Sequence, residues 1–411
     1  MSNQVEEIKS CRLCNGTKLT EYITFGNVPL ANYFVEDGST APRFPLTVVK
    51  CGECGCHQLK HNVDESILFN ENYAYSTPPS LSSHFETFAG EVIRDLNLHD
   101  QSVIVDIGGN NGLLLSYFQQ LTTNILNIEP SRNVAEESMK REIPTLCEFF
   151  NSNTYLGINK WGFRTDLQKS DVIISSNVFA HSKNVLDMME GVKNLLKKGG
   201  IFIQENAYWI DTLKNNDFGQ IYNEHLFYHT ISSLSQVYQN LGMTLYKVTF
   251  NKTSQMGSFR AFVKNYPNYP IEDSVREAIQ YENFYMGKVS FFESNYNSFK
   301  DKIDDIGKLL VRFLDKNKDR KIGLVGVPAK CALLVDYFKL EPYIFSAYED
   351  APLKVNKQVP GTNILIKPME KLVECEIALV GSYNFFDSLH ARFKYLGIPW
   401  IRILPIFEVC Q

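Results

Sequence analysis

Val105-Asp106-Ile107-Gly108-Gly109-Asn110-Asn111-Gly112 runs from the end of an apolar strand pattern, SVIVDIG (102–108), into a helical one. Glycines at such a junction let the backbone turn tightly and approach a ligand closely. A second acid, Glu129, closes the next strand pattern, NILNIEP (124–130), 23 positions after Asp106. A carboxylate there can accept both hydroxyls of a ribose. A glycine-rich run alone is weak evidence. Here the pattern continues through DVIISSN (171–177), GIFIQEN (200–206) and a late pair at LYKVTF and GSFRAFVKN. Helical runs lie between, such as NVLDMMEGVKNLLKKGG, which is expected to stop at Gly199-Gly200. This alternation predicts an α/β domain with a mostly parallel sheet over residues 76–270.

Two ligands suit such a loop. NAD sites favour three spaced glycines after the first strand, whereas D-x-G-G-N-N-G suits S-adenosylmethionine (SAM). The run resembles the class I methyltransferase fold, which implies SAM lying along the strand tips. Asp106, Gly108, Gly109, Asn110, Gly112, Glu129 and Pro130 are then the expected contacts. Phe149 and Phe150 follow the third expected strand, where the adenine or simply the core would take them. Asn177, Val178 and Phe179 follow the fourth strand, and their backbone, with the Asn177 side chain, is expected beside the methionine part of the donor. His181 would face the substrate, against the plainer reading of a structural hydrogen-bonder.

The N-terminus carries Cys11-Arg-Leu-Cys14 and Cys51-Gly-Glu-Cys54. Paired C-x-x-C spacing puts two sulfurs on each tight turn, and Cys11, Cys14, Cys51 and Cys54 could close a tetrahedral Zn2+ site within a module of residues 1–75. Cys56 and His57 are read as bystanders. Nine cysteines in all, five of them scattered, fit reduced thiols in a cytoplasm better than a disulfide framework. The net charge of −5 argues against nucleic acid or an anionic membrane as the main partner. No apolar run approaches the roughly 20 residues of a membrane span. Residues 271–320 read as a helical connection. Its aromatic stripe (Tyr281, Phe284, Tyr285, Phe291, Phe292) reads as packing surface. Residues 321–411 start a second α/β pattern with KIGLVGVPAKCALLVDYF.

Tyr222-Asn223-Glu224-His225 sets a phenol, a carboxylate and an imidazole within four residues, a set suited to proton abstraction. Glu224 is expected to raise the basicity of His225. The plainer reading is a buried polar cluster anchoring a loop.

At this point the chain resembles the SAM-dependent C-methyltransferases that act on nucleotide-linked 4-keto-6-deoxysugars. The likeness rests on the four cysteines, Tyr73 to Ser76, His84, the glycine loop, Glu224-His225, Gly257-Ser258-Phe259-Arg260, a Gly-x-x-Ala-Lys turn at 326–330 and Pro360-Gly361-Thr362, in that order. Asn223 stands where the family usually has histidine, and Cys331-Ala332-Leu333 replaces the polar residues that usually follow the lysine. The resemblance implies methyl transfer from SAM to C3 of the sugar, with His225 as base, Tyr222 or His181 holding the enolate and Tyr75 closing over the site. It implies a C-terminal Rossmann-like domain that binds the nucleotide diphosphate, dTDP or GDP, through Gly326, Ala329 and Lys330, with Asp350 and Lys354 as further candidates. A monomer with a structural Zn2+ is expected. The competing readings are O- or N-methylation of another small metabolite, and a SAM-binding module without turnover.

Overall fold

A computed structural model describes residues 4–36, 40–68, 82–154, 169–251, 256–293 and 299–411. Among the described residues there are four sheets: three larger ones and a two-stranded pair of Val5–Glu7 with His61–Val63. The central one has seven strands. In spatial order these are Thr244–Asn251, Ser258–Lys264, Leu196–Ala207, Ser170–Ser176, Ile104–Ile107, Ile125–Ile128 and Thr145–Leu146. Numbered along the chain, that order is 6-7-5-4-1-2-3. Strand 7 alone runs antiparallel to its neighbours. The strands IVDI and ILNI are buried throughout, as expected for parallel strands covered on both faces. Strand order reverses between Ile104–Ile107 and Ser170–Ser176, and a doubly wound sheet opens its binding crevice at such a switch point.

The covering helices follow from apolar spacing. Val185–Leu195 buries Val185, Met188, Met189, Val192 and Leu195, and Phe299–Lys316 buries Phe299, Ile303, Ile306, Leu310 and Leu314. The first of these ends earlier than the glycine pair at 199–200. Leu196 already pairs with Ser170, and Asn265 Nδ2 donates to the carbonyls of Lys193, Leu196 and Lys197, so the last turn gives way to a bulged strand.

The N-terminal sheet joins Leu19–Pro29, Arg43–Cys51 and His57–Leu59 to a fourth strand, Phe227–Tyr228, supplied from the middle of the chain. The C-terminal sheet has six strands, parallel except for the last, Glu408–Cys410. One continuous core runs through all three units. The N-terminal module touches both others: Arg43 pairs with Asp336 at 2.8 Å, and Phe25 lies 5.1 Å from Tyr337 and 6.1 Å from Phe218.

The aromatic stripe differs from expectation. Tyr281 and Phe284, on the helix Asp273–Glu293, are exposed, while Tyr285 packs against the core. The side chains of Phe291 and Phe292 lie outside the described residues.

Candidate active site

The glycine loop sits at the crevice. Gly108 N–H donates to Ile128 O at 2.7 Å, and Glu129 accepts Asn110 N–H at 3.1 Å and Ser131 N–H at 2.8 Å. A Cβ at Gly109 would stand 2.4 Å from Asn127 Oδ1 and 2.7 Å from Asp106 Oδ2, so only glycine fits there. Both acids are almost wholly buried. Burial, then the neighbouring Glu129, pushes the Asp106 carboxyl well above its usual range. Burial raises Glu129 too, against the N–H groups of Ser131 and Asn110. Gly112 closes the loop at φ 74°. The Pro130 carbonyl accepts the Cys147 thiol at 3.6 Å.

Across the switch point, Asn177 adopts a left-handed conformation (φ 58°) and the Val178 methyls lie over Gly108. The Phe179 ring is fully buried, 5.2 Å from Phe202, and the next residue of the turn, Ala180, is buried too, so this part of the turn offers the crevice its backbone rather than its side chains. Phe149 is exposed, and Phe150 packs against the core beside Gly191.

The 222–228 stretch lies next to this turn. Leu226 N–H donates to Ala180 O at 2.7 Å, and Leu226 O accepts Leu59 N–H at 2.8 Å. The rings of His181 and His225 are 5.0 Å apart. His225 Nδ1 lies 2.9 Å from Gln220 O, and Nε2 lies 2.6 Å from the Tyr222 hydroxyl. A carbonyl can only accept, so Nδ1 carries the proton and Nε2 presents its lone pair to the Tyr222 O–H. Burial, then the neighbouring His181, holds His225 well below the ordinary imidazole range. Burial pushes His181 down to about 4, and its Nδ1 is buried without a hydrogen-bond partner among the described residues.

Glu224 does not act on His225. Its two oxygens take Asn32 Nδ2 at 2.9 and 3.0 Å, and burial pushes its carboxyl up to about 8. Residues 222–225 form a turn closed by His225 N–H to Tyr222 O at 2.9 Å, from which Glu224 reaches Asn32 of the N-terminal module while the His225 ring lies against Tyr222 and His181. Tyr75, with Tyr73 and Ser76, lies outside the described residues.

The four cysteine sulfurs lie within 4.8 Å of one another, with Cys11–Cys54 at 3.5 Å and Cys14–Cys51 at 3.6 Å. Zn–S bonds of about 2.3 Å in a tetrahedron need sulfurs about 3.8 Å apart, so the set fits zinc. Backbone N–H groups of Leu13, Gly16 and Glu53 each point at a sulfur at 3.4 Å. Cys56 and His57 lie outside the cluster.

In the C-terminal domain the Gly326 turn repeats the logic of the glycine loop. Gly326 N–H donates to Tyr348 O at 2.8 Å, and Glu349 accepts the N–H groups of Val327 (2.9 Å), Asp350 (2.9 Å) and Ala351 (3.3 Å). Glu349 stands to Gly326 as Glu129 stands to Gly108, and that shared position at the tip of the second strand could have identified it from sequence. The other candidates there are otherwise engaged. Asp350 is half exposed and paired with Arg392, and Lys354 Nζ donates to Val327 O at 2.9 Å. Ala329 precedes the helix Lys330–Tyr337, and Lys330 turns inward to Asp217 at 3.7 Å.

Three outcomes test these assignments. Gly109→Ala is expected to weaken SAM binding at least about tenfold in calorimetry, since close backbone approach is lost; unchanged affinity contradicts the loop's role. Asn32→Ala leaves the buried Glu224 unpartnered and is expected to lower unfolding free energy by about 1–3 kcal/mol in urea titration. Metal analysis is expected to return about one zinc per chain, with chelation lowering the Tm; a metal-free protein of unchanged Tm contradicts the cluster's reading.

Family models match along the chain in order: Methyltransf_13, "Putative zinc binding domain", at residues 11–69; Methyltransf_23, "Methyltransferase domain", at 82–248; and Methyltransf_14, "C-methyltransferase C-terminal domain", at 254–405. C-methyltransferase NovU of Streptomyces niveus is 28% identical over 252 residues, 60% of this chain, and the match spans 59% of that relative's length. Among solved structures, magnesium protoporphyrin IX methyltransferase of Synechocystis PCC 6803 with bound SAM matches at 12% identity and TM-score 0.33, over 44% of this chain and 78% of that one. The plantazolicin methyltransferase BpumL in complex with SAH matches at 15% and 0.34, over 44% and 82%. The three domain matches follow one another along the chain: it carries a match to a zinc-binding domain, then to a methyltransferase domain, then to a C-methyltransferase C-terminal domain, and the seven-stranded α/β sheet begins within the second of these.

Proposed function

We propose that the protein transfers the methyl group of SAM to C3 of a nucleotide-linked 4-keto-6-deoxysugar. The observation that carries this reading is the neutral His225 imidazole, with Nδ1 tied to Gln220 O and Nε2 directed to Tyr222, beside the turn that borders the glycine loop. Methylating carbon requires a carbanion equivalent, so a C–H proton must leave first. A ketone at C4 acidifies the C3 hydrogen. The substrate displaces the Tyr222 hydroxyl from Nε2, and His225 takes the C3 proton. The freed hydroxyl, with His181, donates to the enolate oxygen, the step where preorganised donors contribute most. C3 then attacks the sulfonium methyl in line, SAM leaves as S-adenosylhomocysteine, and the proton on His225 passes to water. The glycine loop, with Asp106 and Glu129, would hold the donor, which supplies the electrophilic methyl group when bound. The nucleotide diphosphate lies on the Gly326 turn, with Glu349 beside it. NovU, a C-methyltransferase by name, supports carbon over oxygen or nitrogen as the acceptor.

With 13C-methyl SAM and a dTDP- or GDP-linked 4-keto-6-deoxysugar, the product is expected to show a methyl carbon bound to carbon in NMR. A methoxy or N-methyl signal, or no S-adenosylhomocysteine with any such acceptor, contradicts the proposal. The pH profile follows from burial. His225 is the base only when neutral, and its burial keeps it neutral below the usual imidazole range. The acid limb of kcat/KM is therefore expected below about pH 6.5, the ordinary histidine value. A limb at or above that pH is the contrary result.

A further inference from the structure

We infer that Lys330 and Tyr383 of the C-terminal domain, acting through Asp217, are positioning residues for the His225 imidazole. The inference rests on His225 being the base, as proposed above, and concerns what fixes its ring.

The Gln220 carbonyl alone dictates which His225 nitrogen carries the proton. Gln220 belongs to the short turn Phe218–Gln220, and that turn is built on Asp217. Gln220 N–H donates to Asp217 O at 3.0 Å, and Gln220 Nε2 donates to Asp217 Oδ2 at 3.1 Å. Asp217 is wholly buried. A buried carboxylate needs paired charge or several donors. Among the described residues, two of its three side-chain partners come from the C-terminal domain. Tyr383 O–H donates to Oδ1, and the Lys330 ammonium lies 3.7 Å from Oδ2. Lys330 Nζ is itself buried, makes no hydrogen bond among the described residues, and sits 4.3 Å from the centre of the Tyr383 ring. Its charge therefore acts on Asp217 at close range and in a dry setting.

Steric fit adds an independent observation. A Cβ at Gly219 would stand 2.3 Å from the Tyr383 hydroxyl and 2.6 Å from Lys330 Cβ. The C-terminal domain is thus pressed against the turn so closely that position 219 has no room for a side chain. If the turn moved by about an ångström, Nδ1–H would lose its acceptor, because hydrogen bonds weaken steeply with geometry. The ring could then take its other tautomer, with the proton on Nε2 and no base facing the crevice. Docking of the C-terminal domain would in this way set the protonation pattern of His225, to which Lys330 adds a direct charge repulsion that favours the neutral ring.

The test uses 15N-histidine-labelled full-length protein without any acceptor, so it does not depend on identifying the substrate. His225→Gln assigns the signal. In the wild type, His225 is expected as one tautomer, protonated at Nδ1 and bare at Nε2. In Lys330→Met and Asp217→Asn it is expected to become a mixture. In Tyr383→Phe, which removes one hydroxyl and is the variant safest to fold, a smaller shift in the same direction is expected. With the keto-sugar nucleotide, kcat of Lys330→Met is expected to fall at least about tenfold while KM and SAM affinity stay within about twofold, the signature of lost base positioning. An unchanged ring signal in all three variants overturns the inference. So does a raised KM with unchanged kcat, which would make Lys330 a contact of the nucleotide diphosphate. A wild-type enzyme that makes no carbon-methylated product while its ring signals behave as stated contradicts the proposed reaction and leaves the positioning role standing.

Discussion

The backbone of Leu226 is hydrogen-bonded on both sides, its N–H to Ala180 and its carbonyl from Leu59 N–H. Through that one residue the stretch bearing Tyr222, Glu224 and His225 is fastened to the turn beside the glycine loop and to the sheet of the cysteine module at once. The next two residues, Phe227 and Tyr228, continue as a strand against His57–Leu59. The same strand is held from the metal side, since Arg12, between two of the cysteines, donates its N–H to Gln58 Oε1 at 2.9 Å. The cysteine module thus supplies the sheet edge to which the Tyr222–His225 stretch is fastened. This gives the four-cysteine cluster a reason to sit in the same chain as a methyl-transfer site.

Burial governs the chemistry of that edge. His181 and His225 are kept neutral by it, Glu224 is raised by it, and Asp106 and Glu129 are raised beneath the glycine loop. A neutral imidazole with a fixed tautomer is a better base toward a carbon acid than one already protonated, and fixed donors in a dry crevice need no reorganisation as charge develops on an enolate. Glu224 contributes to this without acting as a base. Its carboxyl locks onto Asn32, so the peptide before His225 cannot rotate freely.

Much of this was legible in the chain. Local signals carried the α/β sheets, the glycine loop with Glu129, the two cysteine pairs and the Tyr222–His225 stretch, because each rests on spacing within a few residues or on a strand ending in a turn. What was not legible depends on residues far apart in sequence. Asn32 meets Glu224 across 192 positions, and Tyr383 meets Asp217 across 166. Nothing about Gln220 marked it, because its role is played by a backbone carbonyl. The burial of the Phe179 ring was not marked either, because side-chain direction within a tight turn depends on dihedral angles, and Asn177 takes a left-handed one. The approach of Lys330 to Asp217 went unmarked as well, because it joins positions 113 apart in sequence.

The central claim is that His225 removes a hydrogen from carbon next to a carbonyl. The most direct measurement is hydrogen exchange at C3 of a nucleotide-linked 4-keto-6-deoxysugar in D2O, with S-adenosylhomocysteine bound so that no methyl can move. Deuterium entering C3 faster than in buffer with the wild type, and at the buffer rate with His225→Gln, is the predicted result. Exchange undiminished by that substitution would contradict the account.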